Sequence, residues 1–209
     1  MSKRKPSPPE KSRGISRRSF LKGAGVAATG TAVLNFDLLG DASEVSSQVI
    51  GPDATTVALN VNGTVKRVSV EPRTTLAEAL RDQLQLTGTK IVCDRGSCSA
   101  CTVMLDGMAV NSCMAFALDA VNCKITTIEG LGDPAHLHPL QAAFVEHDGM
   151  QCGYCTPGMV MSCAALLERS PNPTAADVQQ AISGNICRCG TYPKVVEATL
   201  AVARSGKGA

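Results

Sequence analysis

Eight of the ten cysteines fall into two groups of four whose spacing suits metal chemistry. The first group reads C-x4-C-x2-C-x11-C and the second reads C-x2-C-x31-C-x-C. Thiolate is a soft, negatively charged ligand that iron–sulphur clusters and structural zinc sites both use. The candidate metal ligands are therefore Cys93, Cys98, Cys101 and Cys113, the first set, and Cys152, Cys155, Cys187 and Cys189, the second set.

The spacing within these sets favours two [2Fe–2S] clusters. The first three cysteines of the first set have plant-type [2Fe–2S] spacing. A [4Fe–4S] ferredoxin needs C-x2-C-x2-C and a Rieske centre needs histidine ligands, and the sequence has neither pattern. Zinc and disulfides stay open as alternatives, because four cysteines also bind Zn²⁺ and exported proteins often form disulfides.

The second set is predicted to lie at the start of two helices. "CGYC" is followed by Thr156, a favourable N-cap residue, and Pro157, which fits a first helical turn. "CRCG" is followed in the same way by "TYP". The positive ends of two helix dipoles would then face one anionic centre and favour the charge gained on reduction.

Residues 55–131 are predicted to form a small α+β unit that carries the first set. Alternating segments on either side of Asn62-Gly63 indicate a hairpin, and a second hairpin turns at Asp106-Gly107. Between them a helix begins with a capping box of Thr75 and Glu78. "CKITTIEGL" predicts a last strand.

Residues 132–205 are predicted to form a compact bundle of four short helices. Four segments carry apolar residues at helical spacing and are joined by short loops. The predicted buried stripes are Leu140, Ala143 and Phe144; Met159, Cys163, Leu166 and Leu167; Val178, Ala181 and Ile182; and Val196, Leu200 and Ala203.

The basic charge of the chain is concentrated in its first 22 residues, which hold eight Lys or Arg and one acid. "SRRSFLK" at 16–22, followed by a weakly apolar stretch, is typical of a twin-arginine signal peptide. We assign 1–42 to this signal and 43–54 to a linker, and expect export of the folded protein to the periplasm. The rest is acidic and lacks a long apolar run, so neither nucleic acid binding nor a membrane span is expected.

Three cysteine-containing segments resemble a known family. "CDRGSCSACTVMLDG", "QCGYCTPGM" and "GNICRCGTYP" together are similar to the small iron–sulphur subunit of molybdenum hydroxylases, the xanthine dehydrogenase and aldehyde oxidoreductase enzymes. With the signal peptide, the match is to the subunit of periplasmic aldehyde oxidoreductases. The resemblance covers roughly 55–203. It implies a β-grasp ferredoxin-like domain, 55–131, and an all-α four-helix-bundle domain, 132–205, each with one [2Fe–2S] cluster.

The resemblance also implies a role in electron transfer. A separate large subunit would hold the molybdenum pterin cofactor and oxidise an aldehyde or N-heterocycle. Electrons would pass through the helical domain's cluster, then the other cluster, to an FAD-binding subunit or a cytochrome. Gln151 would contact the pterin, and this chain would contribute no catalytic residue. A free-standing exported ferredoxin and a zinc-stabilised binding module are the alternative functions.

Several residues depart from the family pattern or fall outside both sets. Val92 and Ser99 stand where the family has glycine, which puts the geometry of the first cysteine loop in question. Cys123 and Cys163 are expected to be buried, and Tyr154 to shield a cluster or lie in the core. We expect the methionines to fill cores and the histidines, at 136, 138 and 147, to have surface or capping roles.

Overall fold

The computed structural model describes residues 50–206. These residues belong to one compact unit. The predicted signal peptide and residues 43–49 of the predicted linker lie outside the described part. Within 50–206, no helix is long and apolar enough to cross a membrane.

Five strands form one mixed sheet in the order β2-β1-β5-β3-β4. Strand β1 pairs in parallel with β5, and the other three pairings are antiparallel. Both predicted hairpins and the last strand are confirmed. Asn62 and Gly63 have φ of 51° and 75°, as the tight turn of a hairpin requires. The strands are Thr55–Val61 (β1), Thr64–Val70 (β2), Thr102–Leu105 (β3), Met108–Asn111 (β4) and Lys124–Thr126 (β5).

The first helix, α1, packs against this sheet. It is α-helical over Leu76–Glu78 and π-helical over Ala79–Gln83. The predicted capping box is confirmed, since Glu78 N donates to Thr75 Oγ1 at 3.2 Å and Thr75 N donates to Glu78 Oε2 at 2.7 Å. The core between helix and sheet contains Leu59, Val61, Val68, Val70, Leu76, Leu80, Val103 and Ile125, all buried.

The four predicted helices of the second half are present. They are Pro139–Glu146 (α2), Thr156–Arg169 (α3), Ala175–Ala181 (α4) and Tyr192–Ser205 (α5).

Helix α3 is buried around its whole circumference, because it contacts the three other helices and also β3. Every residue from Gly158 to Leu167 is therefore buried, whereas the predicted stripe covered only one face. Met104 of β3 belongs to this helical core.

The predicted face of α5 was confirmed at Ala203 and was wrong by one position at Val196 and Leu200. Val195 and Ala198 are fully buried, whereas Val196 and Leu200 are only partly buried. The two candidate stripes differ by about 100° around the helix. The small residues on this face leave both stripes similarly apolar in sequence, so only the packing distinguishes them.

Other burial predictions were confirmed in part. Cys163 is fully buried as predicted, but Cys123 is only partly buried. Of the described methionines, Met104, Met159 and Met161 lie in the core, whereas Met108, Met114 and Met150 are exposed.

The histidines have the expected surface and capping positions. His138 caps α2, its Nδ1 accepting a hydrogen bond from Leu140 N at 3.2 Å. Burial lowers the pKa of His138, which favours the neutral ring that can accept this bond. His147, which follows α2, places its Nδ1 3.3 Å from Oε1 of Glu197 and so links the end of α2 to α5.

The cap of α4 can be tested by Thr174→Ala. Thr174 Oγ1 accepts from Asp177 N at 3.2 Å, so the substitution leaves a helix N–H without its partner. We expect a loss of about 1 kcal/mol in the free energy of unfolding, measured by urea denaturation of the metal-loaded chain. Thr87→Ala, at an exposed threonine outside the helices, is the control. Equal stability of the two variants would contradict the assigned cap.

Candidate metal centres

The first set of cysteines lies in a loop between α1 and β3 and in the turn that follows β4. Cys98 and Cys101 in the loop are buried, and Cys93 at its start is partly exposed. Cys113 lies in a short 3₁₀ turn, Ser112–Met114, directly after β4. The β3–β4 hairpin therefore brings the fourth cysteine back to the first three, as the sequence predicted.

Backbone N–H groups of this loop point at the thiol sulphurs. Gly96 N donates to Cys113 Sγ at 3.3 Å, and Ser97 N donates to Cys93 Sγ at 3.3 Å. Gly96 has φ of 68°, and a Cβ there would lie 2.9 Å from Met114 Cγ. The positive φ therefore favours glycine at this position, and the exposed Met114 side chain would have to move to admit a Cβ. N–H groups directed at sulphur stabilise a negatively charged thiolate centre.

The two ends of the first set differ in their protonation chemistry. Hydrogen bonding with the backbone at Arg95 lowers the pKa of Cys93 to about 7. Burial raises the pKa of Cys113 to about 11, despite the bond from Gly96. The buried end of the set therefore resists ionisation unless a cation is present to hold the thiolate.

The second set lies where the sequence predicted, immediately before α3 and α5. Cys155 occupies the N-cap position of α3, so the helix begins at Thr156, one residue earlier than predicted, and Thr156 is not the N-cap. The Thr156 hydroxyl is buried and has no hydrogen-bond partner among the described residues. Because both helices start next to cysteines, the positive ends of their dipoles face the thiols.

Cys187 has an environment that the sequence reasoning missed. Its N–H donates to the Tyr192 hydroxyl at 2.7 Å, and that hydroxyl donates to Asn185 O at 3.0 Å. Its sulphur lies 3.4 Å from Thr191 Oγ1. Burial raises the pKa of Cys187, but hydrogen bonds from Thr191 and its neighbours outweigh this and lower it to about 7. Polar residues in "GNICRCGTYP" were the available signal for these supporting contacts.

Thiols within each set lie close enough to shift one another's pKa. Cys98 lowers the pKa of Cys93, Cys101 and to a smaller degree Cys93 raise the pKa of Cys113, and Cys187 raises the pKa of Cys155. Cys152 lies close enough to Cys155 to influence its charge, and half-buried Cys189 follows Cys187 by two residues. Burial raises the pKa of Cys155 to about 12. None of the ten cysteines, all within the described part, forms a disulfide.

Four cysteines can hold either a single zinc ion or a dinuclear iron–sulphur cluster. A zinc site needs four ligands around one ion, whereas each iron of a [2Fe–2S] cluster takes two cysteines. Together with the N–H groups aimed at sulphur, the closeness of the thiols within each set makes the donor set suitable for [2Fe–2S] clusters.

The surface beside the second set is apolar and exposed. Tyr154 is 53% exposed and Ile186 is 59% exposed, so Tyr154 is not a core residue. Gln151 and Cys152 are exposed as well.

Two residues of the first cysteine loop stand where the family has glycine. Val92 is 56% exposed, and Ser99 adopts φ of 52°. Ser99 therefore takes the left-handed conformation of the glycine that it replaces, at some cost in backbone strain.

Comparison with known proteins decides the family. Residues 59–125 match a 2Fe-2S iron-sulfur cluster binding domain, residues 127–200 match a [2Fe-2S] binding domain, and residues 14–33 match a twin-arginine translocation signal. The chain is 40% identical over 199 residues to the aldehyde oxidoreductase iron-sulfur-binding subunit PaoA of Escherichia coli, covering 88% of this chain and 86% of that one. It belongs to the iron–sulphur subunits of the molybdenum hydroxylases.

Further similar proteins support the same family. The nicotine 6-hydroxylase small subunit of Paenarthrobacter nicotinovorans is 47% identical over 148 residues, covering 71% of this chain and 89% of that one. A chain of quinoline 2-oxidoreductase from Pseudomonas putida superposes with a TM-score of 0.69 at 38% identity, covering 74% of this chain and 99% of that one. Membership of this family supports a subunit of an oxidoreductase over a free ferredoxin or a zinc module.

The pKa values predict which cysteines react first in the chain freed of iron. At pH 7 a thiol of pKa about 7 is roughly half thiolate, whereas one of pKa about 11 is roughly one part in ten thousand. We therefore expect iodoacetamide to modify Cys93 and Cys187 before Cys113 and Cys155, as read by peptide mass spectrometry. The rate at Cys93 and Cys187 should level off above pH 8, while the other two rates keep rising. Faster modification of Cys113 than of Cys93 at pH 7 would refute this assignment.

Proposed function

We propose that this chain carries electrons, through two [2Fe–2S] clusters, from a molybdenum cofactor in a large partner subunit to a flavin or cytochrome acceptor. The observation that carries the proposal is that one compact unit contains two four-cysteine sets whose thiols interact within each set. Family membership supports the same role. When bound, the clusters supply two sites that each accept and release a single electron.

In this proposal all eight cysteines of the two sets are ligands, two for each iron. Cys93 with Cys98 and Cys101 with Cys113 form the two pairs of the first site, because Cys98 is the thiol that shifts the pKa of Cys93 and Cys101 is the thiol with the larger effect on Cys113. Cys155 pairs with Cys187, which leaves Cys152 and Cys189 for the other iron of the second site.

The surrounding residues hold these ligands and limit the access of water to them. Gly96 and Ser97 donate to sulphur at the first site. Thr191 and Tyr192 fix the sulphur and the backbone of Cys187 at the second site. Buried Cys98, Cys101 and Cys113 place most of the first site inside the protein, whereas exposed Cys152 places one edge of the second at the surface. The exposed edge is therefore the one that we assign to the large subunit.

Gln151 is proposed to contact the pterin of the partner's cofactor. It is exposed and directly precedes exposed Cys152, so its amide is free to meet a group held by another chain. An amide both donates and accepts hydrogen bonds, which suits the mixed polar edge of a pterin.

We further propose two structural domains and a periplasmic location. The strand order and the parallel pairing of β1 with β5 support a β-grasp ferredoxin-like domain over 55–131. The separate helical core supports a four-helix-bundle domain over 132–205. A match to a twin-arginine signal supports export of the folded, metal-loaded protein.

Cys98→Ser tests the two-cluster proposal. Because the two sets lie in different elements, the substitution should remove one cluster and leave the other. Iron per chain should fall from about four atoms to about two, and one of two EPR signals of the dithionite-reduced protein should disappear. Cys163→Ala, at a buried cysteine outside both sets, is the control and should keep both signals. A parent protein with zinc in place of iron, or a variant that loses both signals, would contradict the proposal.

Gln151→Ala tests the contact with the partner's cofactor. The chain should fold and load both clusters, because the Gln151 side chain is exposed. In the assembled enzyme the loss of one buried hydrogen bond should cost on the order of 1–3 kcal/mol. Slower reduction of the clusters by substrate, or a lower molybdenum content, is the expected result in rapid-reaction and metal analyses.

The control for Gln151→Ala is Gln180→Ala, at an exposed glutamine on α4. It removes the same side chain away from both sites and should leave cluster reduction unchanged. If Gln151→Ala also retains full molybdenum and the parent rate of cluster reduction, Gln151 has no role at the cofactor.

A further inference from the structure

A short segment before Cys187 contacts the backbone of the first cysteine loop. This bridging segment, residues 185–187, ends on a cysteine of the second set. Ile186 N donates to Cys98 O at 3.1 Å, and Asn185 Nδ2 donates to Ser99 O at 3.0 Å. Two adjacent carbonyl groups of one metal loop are thus hydrogen-bonded to two adjacent residues of the other.

Asn185 is the buried centre of this connection. It is 2% exposed, and its Oδ1 accepts a hydrogen bond from Ser162 of α3 at 3.0 Å. Its own carbonyl accepts from Tyr192, the residue that also accepts from Cys187 N. Asn185 therefore joins three elements: the first loop, helix α3 and the start of α5. A buried amide with its side-chain donor and acceptor both engaged has a single orientation.

The first loop also packs closely against two glycines. A Cβ at Gly158 of α3 would clash with Ser99 O, and a Cβ at Gly184 would lie 3.0 Å from Ser99 Oγ. Thr102 Oγ1 donates to the same Ser99 carbonyl at 2.7 Å. The strained Ser99 backbone is thus enclosed by α3, Thr102 and Asn185, which leaves the loop little freedom to shift.

We infer that Asn185 is a positioning residue that fixes the distance between the two metal centres. The inference rests on the proposed function, since it requires both sets to hold clusters. Asn185 touches neither set of thiols directly. It acts by holding the backbone of Cys98–Ser99 against the segment that carries Cys187, so that passage of an electron between the sites occurs at one fixed separation.

Asn185→Leu tests the inference in the intact enzyme with its large subunit. Leucine has a similar volume but can neither donate to Ser99 nor accept from Ser162. The readout is the low-temperature EPR splitting that arises when both clusters are reduced and interact magnetically, which depends on their separation. We expect the parent to show this splitting and Asn185→Leu to lose or diminish it with its full iron content retained.

A second measurement reports on the connection itself. In Asn185→Leu, hydrogen exchange followed by mass spectrometry should be faster than in the parent for the peptide that contains Ile186. The amide of Ile186 donates to Cys98 O, although its side chain is exposed. Peptides from the buried centre of α3 should exchange as in the parent. General loosening of the fold would raise exchange in both regions and would overturn the inference.

Ser162→Ala is the matched control. It removes the other hydrogen bond of Asn185 and leaves the one to Ser99 in place, so it should lower stability without changing the splitting. If it changes the splitting as much as Asn185→Leu does, the contact with Ser99 is not what fixes the distance. If Asn185→Leu does not load both clusters, Asn185→Asp keeps the acceptor for Ser162 and replaces only the amide donor.

The outcomes separate the inference from the proposed function. A parent enzyme without two reduced clusters refutes the proposed function. A parent with two clusters but no magnetic splitting, or a fully loaded Asn185 variant with the parent's splitting, refutes only the positioning role of Asn185.

Discussion

The structure depends on holding groups of negatively charged sulphurs together inside a small fold. Two unit charges about 4 Å apart repel by roughly 4 kcal/mol at an effective dielectric constant of 20. Burial adds to this cost, as the raised pKa values of Cys113 and Cys155 show. Metal cations offset the repulsion, and N–H groups such as Gly96 N and the starts of α3 and α5 provide further positive charge. The loops and helix starts are arranged to meet this requirement.

Helix α3 is the element that connects both sites. It begins next to Cys155, passes through the middle of the helical core, and packs on β3 of the sheet. Gly158 in its first turns allows the first cysteine loop to approach the helix backbone closely. The same helix therefore supports the second set at its end and the first loop on its side. This explains why α3 has no solvent-facing stripe over its central turns.

The exposure of the second site suits contact with a partner subunit. Most of the first set is buried, while Cys152 of the second set lies at the surface beside Gln151. Exposed apolar residues, Tyr154 and Ile186, lie close in sequence to cysteines of the second set. A site with an exposed edge and apolar surroundings matches the composition of a protein–protein contact surface.

The sequence alone determined the ligand candidates, the two hairpins, the capping box of α1 and the four helices. These features depend on local rules of spacing, turn geometry and capping, which a short stretch of chain contains in full. The tertiary structure decided the rest: the buried face of α5, the burial of α3 on all sides, the partial exposure of Cys123, and the surroundings of each thiol. It also revealed the contact between Asn185 and Ser99, which are 86 residues apart. Burial and long-range hydrogen bonds depend on which elements pack together, and no local pattern in the sequence encodes that choice.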